Sequence, residues 1–547
     1  MRKIFGSIYF LVAVYIFLAF IAFGRLPFAF FQQDEWAIIG TFIYFDKTNL
    51  SWFERLFTYG PNTHTIPLSG ILSYFEYKLA GLNFSYYAYF SIAMHSMNVF
   101  LVFYLAYLFF KKKLPAFIAG FVFLVDFIPS QGITWIATTS ATAGATAFTL
   151  FSLIYLTKFL LYKNKNIFVV LSLVFLFVSL LFKESSFFMF LFIPVYWLVF
   201  NYKKNDKHSL NFLIALTFVG GLYILPRLLL ATTPSVSDGL AHPSILDYLY
   251  RIITFPVKAI SQSVIPSDFI RYIADRLVTI SQSLRLDLLS YFFTLIILIL
   301  CVWLYKKAIK NNMPTYAHII IISVIFIALS VLPLIFIPGN SGYFSFFDGR
   351  YLYMGAIFKS ILFANIFFLL YPFLGRKKII IFSVLFFAFF TIFNILSIRN
   401  SLEIEIVRGE ERKSILNQIQ ASYAKLPKNV VFYTESDTSY YGLPIEEKIM
   451  PFYSGFGQTL LVWYEGKGED FPACFFKDKY LYAIIEEGYK ECEGRGYGYF
   501  RKFDSLKTAI LKYSIDPKNV ISFSHIAGDE KLVDTSLEIR EKLKSEK

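Results

Sequence analysis

Met1-Arg2-Lys3, an apolar run to about Phe23, and then Phe31-Gln32-Gln33-Asp34-Glu35-Trp36 decide how this chain is read. A basic start followed by an apolar run resembles a signal peptide. The run is longer than the roughly 7–15 residues of a signal-peptide core, so it reads as an uncleaved first membrane span. The acidic pair comes where the chain leaves the bilayer on the far side. Carboxylates at such a boundary are costly unless solvated or partnered, which makes Asp34 and Glu35 functional candidates.

The pattern of that first run recurs. The 547 residues are 56% hydrophobic, 20% aromatic and only 16% charged, with a mean hydropathy of +0.56. Soluble domains average about 25% charged residues. Apolar runs of about 20 residues span a bilayer as helices. A β-barrel would show short alternating segments instead. The net charge of +14 does not imply a nucleic-acid partner. Residues 1–398 hold 30 Lys and Arg against 14 Asp and Glu, whereas 399–547 hold 22 against 24. The positive excess therefore lies among the apolar runs, where short basic loops set orientation.

Basic clusters recur at Lys111-Lys112-Lys113, at Lys158, Lys163 and Lys165, at Lys203, Lys204 and Lys207, at Lys306, Lys307 and Lys310, and at Arg376-Lys377-Lys378. Placing them and the N-terminus in the cytosol gives about eleven transmembrane helices. These are 4–23, 86–110, 114–129, 133–157, 166–182, 186–201, 210–230, 288–305, 317–337, 351–373 and 379–397. The stretch 114–157 also admits one bent hairpin around Asp126 and Pro129. The odd count sends the C-terminal tail outside, together with 24–85, 130–132, Lys183-Glu184-Ser185, 231–287 and 338–350. Trp36 to Phe45 and Ile66 to Leu79 read as interfacial helices. So does 231–287, whose Arg251, Lys258, Arg271, Arg276 and Arg285 read as a solvated loop or as attractors of an anion. The expected organisation is a polytopic α-helical membrane domain, 1–398, and a small extracytoplasmic α/β domain, 399–547. In the latter, Glu403 to Ser422 reads as a charged helix, and 429–433 and 480–485 as strands.

Cys301 lies in an apolar segment and reads as inert packing. Cys474 and Cys492 lie in the tail. They leave two readings open, a disulfide if the tail meets an oxidising compartment or two free thiols.

Chemistry-bearing residues cluster at the outer ends of the spans. Asp34 or Glu35, ionised, accepts a proton from a hydroxyl and sharpens it as a nucleophile. The pair also suits a divalent cation, which is left open. Lys183 and Glu184 sit in a tight turn, where Lys183 would grip a phosphate and Glu184 orient it, or the two would pair to hold helix ends together. Arg350, in Asp348-Gly349-Arg350-Tyr351-Leu352-Tyr353, offers a bidentate fork to a phosphate, and Tyr351 suits the headgroup level. His64 adds a near-neutral titrating group in the first outer loop. His95 and Asn98, one turn apart in an apolar span, read as an interhelical hydrogen-bonding pair. No phosphate-cradling Gly-rich loop, paired CxxC or HExxH motif is present.

With these residues assembled, the chain resembles the GT-C superfamily of polytopic glycosyltransferases that use polyprenyl-phosphate donors, and within it the protein O-mannosyltransferase-like branch. The carriers are Gln33-Asp34-Glu35, His64-Thr65-Ile66-Pro67-Leu68, Met94-His95-Ser96-Met97-Asn98, Trp135-Ile136-Ala137, Lys183-Glu184-Ser185 and Arg350-Tyr351-Leu352-Tyr353. They cover about residues 1–375. The resemblance implies a catalytic base at Asp34 or Glu35, phosphate contacts at Arg350 and Lys183, and transfer from a polyprenyl-phosphate-linked sugar to a hydroxyl of a glycan, lipid or protein. A single displacement would invert the anomeric centre. The tail lacks the tetratricopeptide periodicity of some relatives. A flippase of lipid-linked sugars is a rival; it calls for charges deep inside several spans. A lipid-linked glycan polymerase or ligase is another. The expected location is the plasma (inner) membrane.

Overall fold

The computed structural model describes residues 8–545 apart from 33, 52–53, 56–65, 163–164, 202–207, 231–243, 277–281, 338–344, 375, 437–454, 478–486 and 527–530. Among the described residues, six helices are long and apolar enough to cross a membrane: Phe10–Phe28, Phe84–Phe110, Ile136–Leu161, Leu284–Lys310, Pro314–Phe336 and Ser383–Ser422. Five shorter apolar helices join them, at Lys113–Val125, Asn166–Phe182, Glu184–Phe200, Asn211–Leu225 and Ala356–Leu370. All overlap stretches read as apolar spans from the sequence. Between 113 and 161 the chain forms two helices, Lys113–Val125 and Ile136–Leu161, separated by Pro129 and a four-residue helical turn, Gln131–Thr134.

The chain forms two compact units. The first comprises residues 1–24, 62–69 and 88–400. Within it, helix Ile136–Leu161 presents small residues to helix Asn166–Phe182. A Cβ on Gly144 would lie 2.5 Å from the Phe182 ring, so glycine sets the closeness of approach. Hydroxyls add cross-links: Ser179 Oγ donates to the Ala145 carbonyl at 2.7 Å, Thr149 and Ser179 lie 2.8 Å apart, and Ser152 and Ser172 3.1 Å. This pairing fixes the end of the helix that carries Lys183.

Helix Ile245–Val264 is inside out. Ile245, Leu246, Leu249, Ile252 and Ile253 are exposed, while Arg251, Thr254, Lys258, Ser261 and Gln262 are buried. The solvated-loop expectation for Arg251 and Lys258 is therefore corrected. Arg251 Nη1 donates to the Ile335 and Ile337 carbonyls, and Lys258 pairs with Asp287 at 3.1 Å. Such residues face inward when the surroundings are apolar. Arg271 and Arg276 are exposed as expected. A second buried ion pair joins Asp126 to Lys359, whose ammonium also donates to the Ser263 carbonyl at 2.6 Å. Cys301 packs among Leu304, Ala308, Ala317, Ile320 and Leu362.

The second unit comprises residues 25–61, 70–87 and 401–547. Its sheet has five strands: β1 (Asn429–Ser436), β2 (Gly488–Cys492), β3 (Arg495–Phe500), β4 (Val520–Ile526) and β5 (Lys531–Asp534). The order is β2-β3-β1-β4-β5, with β1 parallel to both β3 and β4 and the outer pairs antiparallel. Val431 and Tyr433 face helices Phe503–Lys512 and Ser536–Ser545 in one core. Cys474 and Cys492 are joined by a disulfide. The 480–485 expectation lies outside the described residues. Glu403 to Ser422 is not a separate helix; it is the end of one 47-residue helix, Arg376–Ser422, because the change at 398 is one of composition and brings no helix breaker.

Removing one partner of a buried ion pair leaves an uncompensated charge. Lys359→Met is expected to lower unfolding free energy by about 3–5 kcal/mol in a denaturant titration, and Asp126→Asn combined with Lys359→Met by less. Equal losses for the two proteins would contradict the pairing.

Candidate functional site: a cation pair around Tyr351

Lys183 follows directly on helix Asn166–Phe182, and its backbone N–H still donates to Ser179. Its ammonium donates to Thr142 Oγ1 at 2.8 Å, across the tight helix pair. It lies 5.9 Å from the centre of the Tyr351 ring. Arg350 approaches the same ring from its own chain neighbour, with the guanidinium carbon 4.9 Å from the centroid and Nη2 3.2 Å from the Tyr351 hydroxyl. Its other aromatic contact is Trp135, 4.1 Å from guanidinium carbon to ring centroid. Asp348 Oδ2, half exposed, lies 3.3 Å from Arg350 Nη2. The structure thus brings Lys183, Arg350 and Tyr351 together, and Trp135, which sequence reasoning used only as a family marker, with them.

The positioning is built from backbone contacts. Asp348-Gly349 enters the short helix Gly349–Leu352, and a Cβ on Gly349 would lie 2.2 Å from the Ile128 carbonyl oxygen. Only glycine fits so close to another backbone. Arg350 N donates to Gln131 Oε1 at 3.4 Å. At the other end, Tyr353 is fully buried. His95 Nε2 faces the Leu124 carbonyl at 3.1 Å, which makes Nε2–H the donor and leaves Nδ1 to accept from the Tyr353 hydroxyl at 2.7 Å. Asn98 Nδ2 donates to Tyr353 at 3.3 Å and to the Ala143 carbonyl at 3.0 Å. His95 and Asn98 therefore meet through Tyr353, a third partner that their spacing alone does not reveal.

The cluster is electropositive. Partial burial of the Lys183 ammonium and the nearby Arg350 charge push its pKa down to about 8, while Glu184 opposes the shift. Arg350 Nε and Trp135 Nε1 are buried donors without a hydrogen-bond partner among the described residues. Aromatic rings hold the cations by their π faces, which leaves N–H groups directed elsewhere. Two cations and two unused donors in one cluster suit a phosphate group.

Asp34 and Glu35 belong to the second unit and open helix Asp34–Thr48. A helix N-terminus favours negative charge there. They differ in surroundings. Glu35 is 4% exposed and its Oε2 accepts from the Gln32 backbone N–H at 3.2 Å, whereas Asp34 is exposed. Behind them Trp36 packs edge-on with Phe30, Phe31 and Trp463. His64 lies outside the described residues. Glu184 opens a short 3-10 turn, Glu184–Phe188, that follows Lys183.

No protein-family model matches the sequence, and no curated protein does. Among solved structures the chain is similar to ArnT from Cupriavidus metallidurans bound to undecaprenyl phosphate, at 11% identity and a TM-score of 0.39, over 95% of this chain and 93% of that one. The same protein in its apo state matches at 12% identity and 0.37 over the same shares. The Archaeoglobus fulgidus oligosaccharyltransferase in its apo form matches at 12% identity and 0.40, over 78% of this chain and 63% of that one.

Gly349→Ala forces its methyl against the Ile128 carbonyl. It is expected to cost about 1–3 kcal/mol of stability, read by thermal unfolding. An unchanged unfolding curve would show that the 349–128 approach is not held in the folded protein.

Proposed function

We propose that the chain is an integral-membrane glycosyltransferase. It takes a sugar from a polyprenyl-phosphate carrier on the extracytoplasmic side and passes it to a hydroxyl of a glycan, lipid or protein. The observation that carries this reading is the gathering of Lys183 and Arg350 on Tyr351, with donors left over for an anion. The apolar helices supply the bilayer setting such a donor needs. One of the two buried ion pairs of the first unit sits at helix ends, as surface chemistry rather than a flippase would have it: Asp126 directly follows its helix and Lys359 is the fourth residue of helix Ala356–Leu374. The Cys474–Cys492 disulfide supports an extracytoplasmic tail. In this reading residues 1–398 carry the reaction and 399–547 help hold the acceptor.

Asp34 is the base, because it is the exposed carboxylate of the pair while Glu35 is buried. The acceptor hydroxyl gives its proton to the Asp34 carboxylate and its oxygen attacks the anomeric carbon. The bond from that carbon to the phosphate oxygen breaks, and the electron pair leaves with polyprenyl phosphate. The leaving group is a stable anion, so Lys183 and Arg350 act mainly by binding and positioning it. The anomeric centre inverts. A divalent cation at Asp34 remains compatible with this assignment and supplies no step in it.

Purified protein given labelled polyprenyl-phosphate sugars tests the reading. Asp34→Asn is expected to lower kcat about 10²–10⁴-fold. Transfer unaffected by that change removes Asp34, and movement of intact lipid without transfer supports a flippase instead. Lys183 is charged below about pH 8 and loses its charge as pH rises. The donor KM should therefore rise between about pH 7 and pH 9, and Lys183→Arg should flatten that rise because a guanidinium stays protonated. A rise that persists in Lys183→Arg would assign it to another group.

A further inference from the structure

The buried amide of Gln262 is not explained by packing. Helix Ile245–Val264 already buries Phe255 and Ala259 against Val331, Leu334, Phe347 and Leu352. An apolar residue at 262 would extend that core, and a buried primary amide is costly unless its donors and acceptor are used. Gln262 is 3% exposed and spends both ends on one stretch of backbone. Its Nε2 donates to the Ser345 carbonyl at 2.7 Å, and its Oε1 accepts from the Phe347 N–H at 2.9 Å. Nε2 also lies 3.4 Å from Ser290 Oγ. The two backbone groups are two residues apart, so the side chain pairs with them as a neighbouring strand would.

That stretch leads straight to the cation pair. Phe347 is three residues before Arg350, and its ring packs edge-on against Phe255 of the same helix, 5.1 Å between centroids. Arg251, on this helix too, holds the chain where it leaves Ile335 and Ile337. The helix is itself pinned at the next residue, where the Lys359 ammonium bonds the Ser263 carbonyl. From the other side Gly349 rests on Ile128 and Arg350 N bonds Gln131. We propose that Gln262 is a positioning residue for Arg350, clamping the 345–347 backbone so that the guanidinium is delivered to Tyr351 and Trp135 in a fixed register. Its functional half rests on Arg350 contacting the donor phosphate, as proposed above.

Gln262→Met keeps the volume and removes the two hydrogen bonds to the 345–347 backbone, along with the longer contact to Ser290. Two readouts are taken on the full-length protein in nanodiscs. Hydrogen–deuterium exchange of a peptide covering residues 345–352 is expected to accelerate about tenfold or more at the Phe347 amide, since its acceptor is gone. The donor KM is expected to rise about tenfold with kcat changed far less, the signature of a misplaced binding group. Unchanged exchange overturns the clamp. Faster exchange with an unchanged donor KM overturns its link to Arg350. Wild-type protein without transfer activity sinks the enzymatic reading, while the exchange result still judges the clamp.

Discussion

Two like charges held beside one aromatic ring are the constraint from which the rest of the first unit follows. Lys183 and Arg350 repel each other, and the Lys183 pKa is depressed by loss of water first and by that repulsion second. The Tyr351 and Trp135 faces, Thr142 and the half-exposed Asp348 compensate only in part. An arrangement of this kind is stable at small cost when an anion is present and strained when it is absent. In the proposed reading the phosphate of a lipid carrier supplies that anion.

Holding the pair in place takes scaffolding that is largely polar. Tyr353 donates to His95 and accepts from Asn98, Gly349 lets the chain pass the Ile128 carbonyl, and Gln262 pairs with the preceding backbone. Each contact is directional, so each fixes angle as well as distance. In apolar surroundings such groups need partners within the protein, and here they find them on segments distant in sequence. The price of an unmade bond there keeps the short helix Gly349–Leu352 in one register.

Much of this was legible in the chain, for physical reasons that can be named. The apolar runs announced the helices, because periodicity of burial matters little where lipid replaces water and sheer length decides. Lys183 and Arg350 stood out because charge beside long apolar runs is rare. Tyr353 as the bridge between His95 and Asn98 was not legible, since the contact joins residues more than 250 apart. Nor was the inside-out helix Ile245–Val264. Its Arg251 and Lys258 look like solvent-facing charges until the apolar face is seen to point outward. The role of Trp135 under Arg350 had a signal, the Trp135-Ile136-Ala137 marker, but no spacing rule connects it to residue 350. Glu35 differs from Asp34 in being buried and in accepting from the Gln32 N–H, a local geometry that a dipeptide does not announce.

Equilibrium binding of a polyprenyl phosphate, set against the uncharged polyprenol of equal length, tests the anion-site claim without any need for turnover. Wild-type protein in nanodiscs should prefer the phosphate, and combined Lys183→Gln and Arg350→Gln should lose about 100-fold of that affinity, as two charge-assisted contacts of roughly 1.5 kcal/mol each imply. Equal binding of phosphate and alcohol by the wild type, or an unaltered preference in the double variant, would contradict the account.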